Sequence, residues 1–115
     1  MAESLIGREA YMRQVLAAYC ATPQTTGRVH TADRRLAVQL YQGGVTLRAI
    51  ENALVLATAR RLVRPADAMP LGTIRSLAYF VPVIEEVLQT KVGQAYFDYL
   101  RFRLSHWLSK APTAR

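Results

Sequence analysis

The chain reads as all-α: a compact bundle of about five helices around a buried central helix at 47–63, with the chain, residues 1–115, forming one helical domain. Three observations predict this. Apolar residues recur at three- and four-residue spacing, while strand-like alternation is weak. Glycine and proline fall at intervals that cut the chain into helical lengths. The stretch from Ala53 to Ala59 is apolar nearly all round, as expected of a helix enclosed by its neighbours.

The first helix is expected over Glu3 to Ala21, with Leu5, Met12, Leu16 and Tyr19 on one face and Pro23 helping to end it. Polar residues 22–31 form a loop, and Thr31 is placed to cap a second helix from Ala32 to Gln42. Leu36, Val38 and Leu40 supply its apolar side, and Gly43-Gly44 stops it. Thr46 then caps the central helix, Leu47 to Val63, whose polar residues gather at its ends. Pro65 to Gly72, with two prolines and a glycine, is a linker. A short helical segment ending near Phe80 precedes a break at Pro82, which cannot donate to a continuing helix. Gly93 separates that segment from a final helix, Gln94 to Lys110.

Charge narrows the class of partner. The 115 residues carry a formal net charge of +7, and thirteen of the fifteen cationic side chains are arginine. An excess of this kind points to a polyanion, with nucleic acid the first candidate. Guanidinium pairs with phosphate bidentately where lysine cannot, although an arginine and alanine bias is also what a GC-rich genome writes by default. The 51% hydrophobic content predicts a folded globule, not a basic tail. Lone Cys20 sits in an apolar stretch, where a buried, inert thiol and a reducing, cytoplasmic setting are the ordinary reading. The first twelve residues carry Glu3, Arg8 and Glu9 and do not read as a signal peptide, and no run is long and apolar enough for a membrane span.

Three constellations could bind a polyanion. On the final helix, Tyr96, Tyr99, Arg103, His106 and Lys110 share a face beside the apolar stripe of Phe97, Leu100, Leu104, Trp107 and Leu108. Cations there would neutralise phosphates and tyrosine rings would stack on bases, or the tyrosines would simply edge the core. Arg60, Arg61, Arg64 and Arg75 bracket the linker and would form one patch if it folds back, although Arg60 and Arg61 also suit the C-terminal end of a helix dipole. Arg28, Arg34 and Arg35 flank the start of the second helix, where free backbone N–H groups favour phosphate. A helix-turn-helix pattern around Gly43-Gly44 would offer Arg48, Glu51 and Asn52 to bases. The apolar stretch that follows, Ala53 to Ala59, leaves almost no polar face to lie in a groove.

Catalysis is not expected. Neither His30 nor His106 has a carboxylate at helical spacing, adjacent Glu85 and Glu86 face different directions, and no phosphate loop or metal-ligand cluster is present. No catalytic residue, metal or cofactor is assigned.

The run Gly43-Gly44-Val45-Thr46-Leu47, with Ile50, followed downstream by Ile74-Arg75-Ser76-Leu77-Ala78-Tyr79-Phe80, resembles helical domains of bacterial plasmid, phage and mobile-element replication proteins, the DnaD-like primosome domain among them. The resemblance covers roughly residues 32–89; this chain lacks a tryptophan at the end of the second segment and carries Pro82 there. It implies an accessory role in replication or mobilisation, binding DNA and a helicase or initiator. The residues themselves predict a non-enzymatic nucleic-acid-binding accessory protein, working alone or within a larger protein or ribonucleoprotein assembly. The alternative is a protein-interaction subunit whose basic surface docks on an acidic partner through anchors such as Tyr41, Tyr96 and Trp107.

Overall fold

Helical periodicity is realised in full, and Gly7 begins it. The computed structural model describes residues 7–65 and 67–110, with the side chains of residues 107, 109 and 110 excepted. Helix α1 spans Arg8–Ala21, α2 Thr31–Gln42, α3 Leu47–Leu62, α4 Val81–Gln89 and α5 Gln94–Lys110, with a one-turn 3-10 helix at Leu77–Phe80 leading into α4. No strand occurs among the described residues.

Helix α1 starts later than the expected Glu3, because extended Gly7 is its N-cap. Leu5 lies outside the described residues. Its buried stripe is Tyr11, Val15 and Tyr19, at four-residue steps, joined by Leu16. The Tyr11 ring meets Tyr41 of α2 edge-on at 5.2 Å, and its hydroxyl donates to the Val45 carbonyl at 2.6 Å, which ties the start of α1 to the turn before α3.

Helix α2 is capped by His30 and not by Thr31. The His30 backbone N–H donates to Asp33 at 2.8 Å in a reciprocal capping box, and Thr31 is already helical. The buried seam of α2 is Asp33, Ala37 and Leu40. Leu36 and Val38 are only half-buried, whereas Ala37 between them is fully buried. Gly44, at φ 76°, makes the left-handed turn out of α2, a conformation costly for a side-chain-bearing residue.

The Thr46 hydroxyl accepts the Ala49 N–H at 3.0 Å and starts α3. Leu47, Ile50, Ala53, Leu54 and Ala57 are buried, and α1, α4, α5 and the 3-10 turn all pack on this helix. It is the centre of the bundle, as its apolar girth predicts. Phe80 is fully buried and meets Tyr19 edge-on at 6.1 Å. Burying a side chain of this size stabilises by roughly 1.5–3 kcal/mol. Pro82 stands in the first turn of α4, where its missing N–H costs nothing, so the break falls where proline tolerates it. Cys20 is half-buried against the core and free, more accessible than its apolar neighbours suggest.

Candidate nucleic-acid interface

Between Glu9 and Glu51 the chain has one carboxylate, Asp33, against five arginines. Asp33 is 2% exposed. One carboxylate oxygen accepts the His30 N–H and the other accepts the Leu77 N–H at 2.9 Å, so its charge is turned inward, holding the N-terminus of α2 to the 3-10 turn. It does not pair with Arg34 or Arg35, its neighbours in sequence. A second tie lies beside it. Thr25 and Ile74 form a parallel bridge, with the Thr26 N–H donating to Ile74 at 3.0 Å and the Ile74 N–H donating to Gln24 at 2.8 Å.

These ties bring Arg28, Arg34 and Arg75 from three segments to one joint. Arg75 follows buried Ile74, and Arg28 stands two residues beyond Thr26. Arg35 lies farther round α2, about 200° from Asp33 at 3.6 residues per turn. All four are exposed, and their side chains have no partner among the described residues. The stretch between Glu9 and Glu51 therefore presents cations with no exposed acid of its own to offset them.

The arginines ending α3 are differently placed. Arg60 grips Glu86 of α4 with both terminal nitrogens, at 2.7 and 2.5 Å. That bond raises Arg60 above its ordinary pKa and lowers Glu86 below its own. Arg61 donates to the Gln24 side chain at 2.6 Å, the Tyr79 hydroxyl at 2.9 Å and the Gly72 carbonyl at 2.5 Å, and it lies over the Tyr79 ring at 5.4 Å. Gln24 holds a left-handed backbone, φ 72°, unusual for a residue other than glycine. Arg64 gives one N–H to the Met69 carbonyl at 2.6 Å. The linker does fold back toward the helix, held by Arg61 on Gly72 and Arg64 on Met69, while Arg60 is occupied by Glu86 of α4. Tyr79 is 44% exposed and serves as the shelf for Arg61. Ser76 precedes the 3-10 turn without capping it through its side chain.

Helix α5 rests on α3 through Phe97, while Leu100 and Leu104 are half-buried and Phe102 is 67% exposed. Arg103 lies over the Tyr99 ring at 5.9 Å and donates to its hydroxyl at 3.2 Å. His106 stacks on Phe102 at 6.4 Å instead of extending the Tyr99–Arg103 row. The Lys110 and Trp107 side chains lie outside the described residues. Tyr99 and Arg103 line a cleft of about 460 Å³ together with Arg64 of the α3 end. Two groups of residues separated in sequence thus meet across one cleft, whereas Arg60, Arg61 and Arg75 do not line it.

Asn52 is buried and exchanges hydrogen bonds with Gln94 at 2.9 and 3.1 Å, so it faces α5 and not an incoming base. Among the described residues no three His, Cys, Asp or Glu side chains converge on a common point, and no helix is long and apolar enough to cross a membrane. Comparison with protein-family models, with curated proteins and with solved structures gives no match.

Proposed function

We propose that this chain is a non-enzymatic nucleic-acid-binding accessory protein that grips backbone phosphates through its exposed arginines. One observation carries the reading: Asp33, the single carboxylate between Glu9 and Glu51, is buried, which leaves Arg28, Arg34, Arg35 and Arg75 exposed and unopposed. Phosphate is the ligand for such a surface, because each contact releases counterions from the strand and so gains strength from charge alone. The resemblance of the Gly43–Ile50 and Ile74–Phe80 segments to DnaD-like domains favours a setting in replication of plasmids, phages or mobile elements, with a cytoplasmic ribonucleoprotein as the other setting of the same chemistry. Fluorescence anisotropy with labelled DNA and RNA across a salt series tests it. Binding with a steep logarithmic salt slope supports the reading, and no binding near physiological salt defeats it.

A second reading has its own support. The outer face of α5 leaves Tyr96, Tyr99 and Phe102 exposed, an aromatic surface of the type that anchors protein interfaces. On this reading the basic surface docks on an acidic protein, and affinity responds weakly to salt.

A further inference from the structure

The cleft between the end of α3 and the middle of α5 combines features that the other grooves do not share. Its floor is Ala59, Leu62, Leu100 and Leu104, its rim carries Tyr99, Arg64 and Arg103, and no carboxylate is among its lining residues. Its volume of about 460 Å³ falls within the roughly 300–1,000 Å³ usual for ligand sites. The groove on the opposite side of α5 sets Glu51 against Arg101, which cancels its charge. The hollow beside Tyr79 contains Arg60 and Arg61, whose donors are already spent on Glu86, Gln24 and Gly72.

At the α3–α5 cleft the donors remain. Arg64 uses one terminal nitrogen on Met69, leaving the rest of a five-donor guanidinium. Arg103 braces its own Tyr99 and has no acid partner among the described residues, and the Tyr99 ring is 53% exposed at the lip. An apolar floor, a half-exposed aromatic ring and two cations suit a ligand that is flat and apolar in its body and anionic at its edge. A nucleotide has that character. Bases in a duplex are stacked away from such a cleft, whereas a single strand can turn one out.

We propose that this cleft seats an unstacked base of a single-stranded nucleic acid, with Tyr99 as the stacking platform and Arg64 and Arg103 on the flanking phosphates. The inference rests on the nucleic-acid reading above and deepens it, from a grip on phosphate to a preference for single strands.

The test uses the full chain with fluorescent oligo(dT) and a duplex of matched length, beside the exposed-site variants Tyr99→Ala and Arg103→Gln, with circular dichroism confirming that each stays helical. The wild-type chain binds the single strand more tightly than the duplex. Tyr99→Ala loses about 5- to 150-fold on the single strand, the range of one base–aromatic stack, and stays within about threefold on the duplex. Photo-cross-linking of iodouracil-substituted single strand then lands on the α5 peptide containing Tyr99. Unchanged single-strand affinity in Tyr99→Ala overturns the inference while leaving the phosphate reading standing. Absence of binding to either oligonucleotide removes both. An acidic amphipathic peptide that occupies the cleft where the oligonucleotides do not overturns the inference in favour of a protein occupant.

Discussion

The carboxylate of Asp33 accepts the backbone N–H of Leu77 at 2.9 Å across 44 residues of chain, and its other oxygen accepts the N–H of His30. One buried side chain thereby satisfies two main-chain donors that would otherwise be stranded at the N-terminus of α2 and the entrance to the 3-10 turn. It also withdraws the local negative charge from the surface where the arginines lie.

Asp33→Asn keeps the shape but turns an amide NH₂ toward one of those donors. The expected cost is about 2 kcal/mol, because a buried donor left unsatisfied loses roughly 1–3 kcal/mol. Urea denaturation of the two chains measures it, and a midpoint equal to wild type would show that the carboxylate is dispensable.

Arg61→Ala removes donors to Gln24, Tyr79 and Gly72 together with the packing on the Tyr79 ring. A loss of about 1–2 kcal/mol is expected, kept modest by the exposure of these bonds. Arg61→Lys recovers little of it, because an ammonium cannot span three acceptors with a planar fork. Thermal denaturation of the two variants, with duplex affinity measured in parallel, separates this bracing role from phosphate binding: the melting temperature falls and the affinity holds.

Burial pushes Tyr11 up from 10.0 to about 12. A group with a raised folded pKa stabilises the fold fully below its unfolded value, and that contribution drains away as pH climbs from about 10 toward 12. Tyr11→Phe also loses the hydrogen bond to Val45, worth about 1 kcal/mol at neutral pH. Stability measured from neutral pH into this alkaline range is therefore expected to start lower and fall less steeply in the variant. Parallel curves would contradict the assignment.

Salt titration distinguishes the two kinds of arginine. Arg34→Ala and Arg75→Ala are each expected to reduce the magnitude of the logarithmic salt slope by about 0.7–0.9, one phosphate contact apiece. The charge-neutral double change Arg60→Ala with Glu86→Ala leaves the slope where it was, because that guanidinium already has its carboxylate.

Local chemistry made most of the fold legible. Gly43-Gly44, Thr46 and Pro82 each act on their own turn, so α2 ends, α3 starts and α4 starts where those residues predict. The cap of α2 was harder to read, because His30 is a poor intrinsic cap that works through Asp33. The division of the arginines was not legible. Arg60 meets its carboxylate 26 residues away and Arg61 meets Gln24 at 37, and no spacing rule announces such partners. Arg64 and Arg103 come to one cleft for the same reason: packing of α5 on α3 decides it, and periodicity along each helix does not.

The bonds from Thr26 to Ile74, from Ile74 to Gln24 and from Leu77 to Asp33 also set an order of assembly. Helical turns and neighbouring helix pairs close over short stretches of chain in microseconds, whereas these three bonds wait for a long loop to shut. The amides of Thr26, Ile74 and Leu77 belong to one late closing event. In hydrogen exchange they should gain and lose protection as a set, a clock for the moment when the two halves of the chain become one.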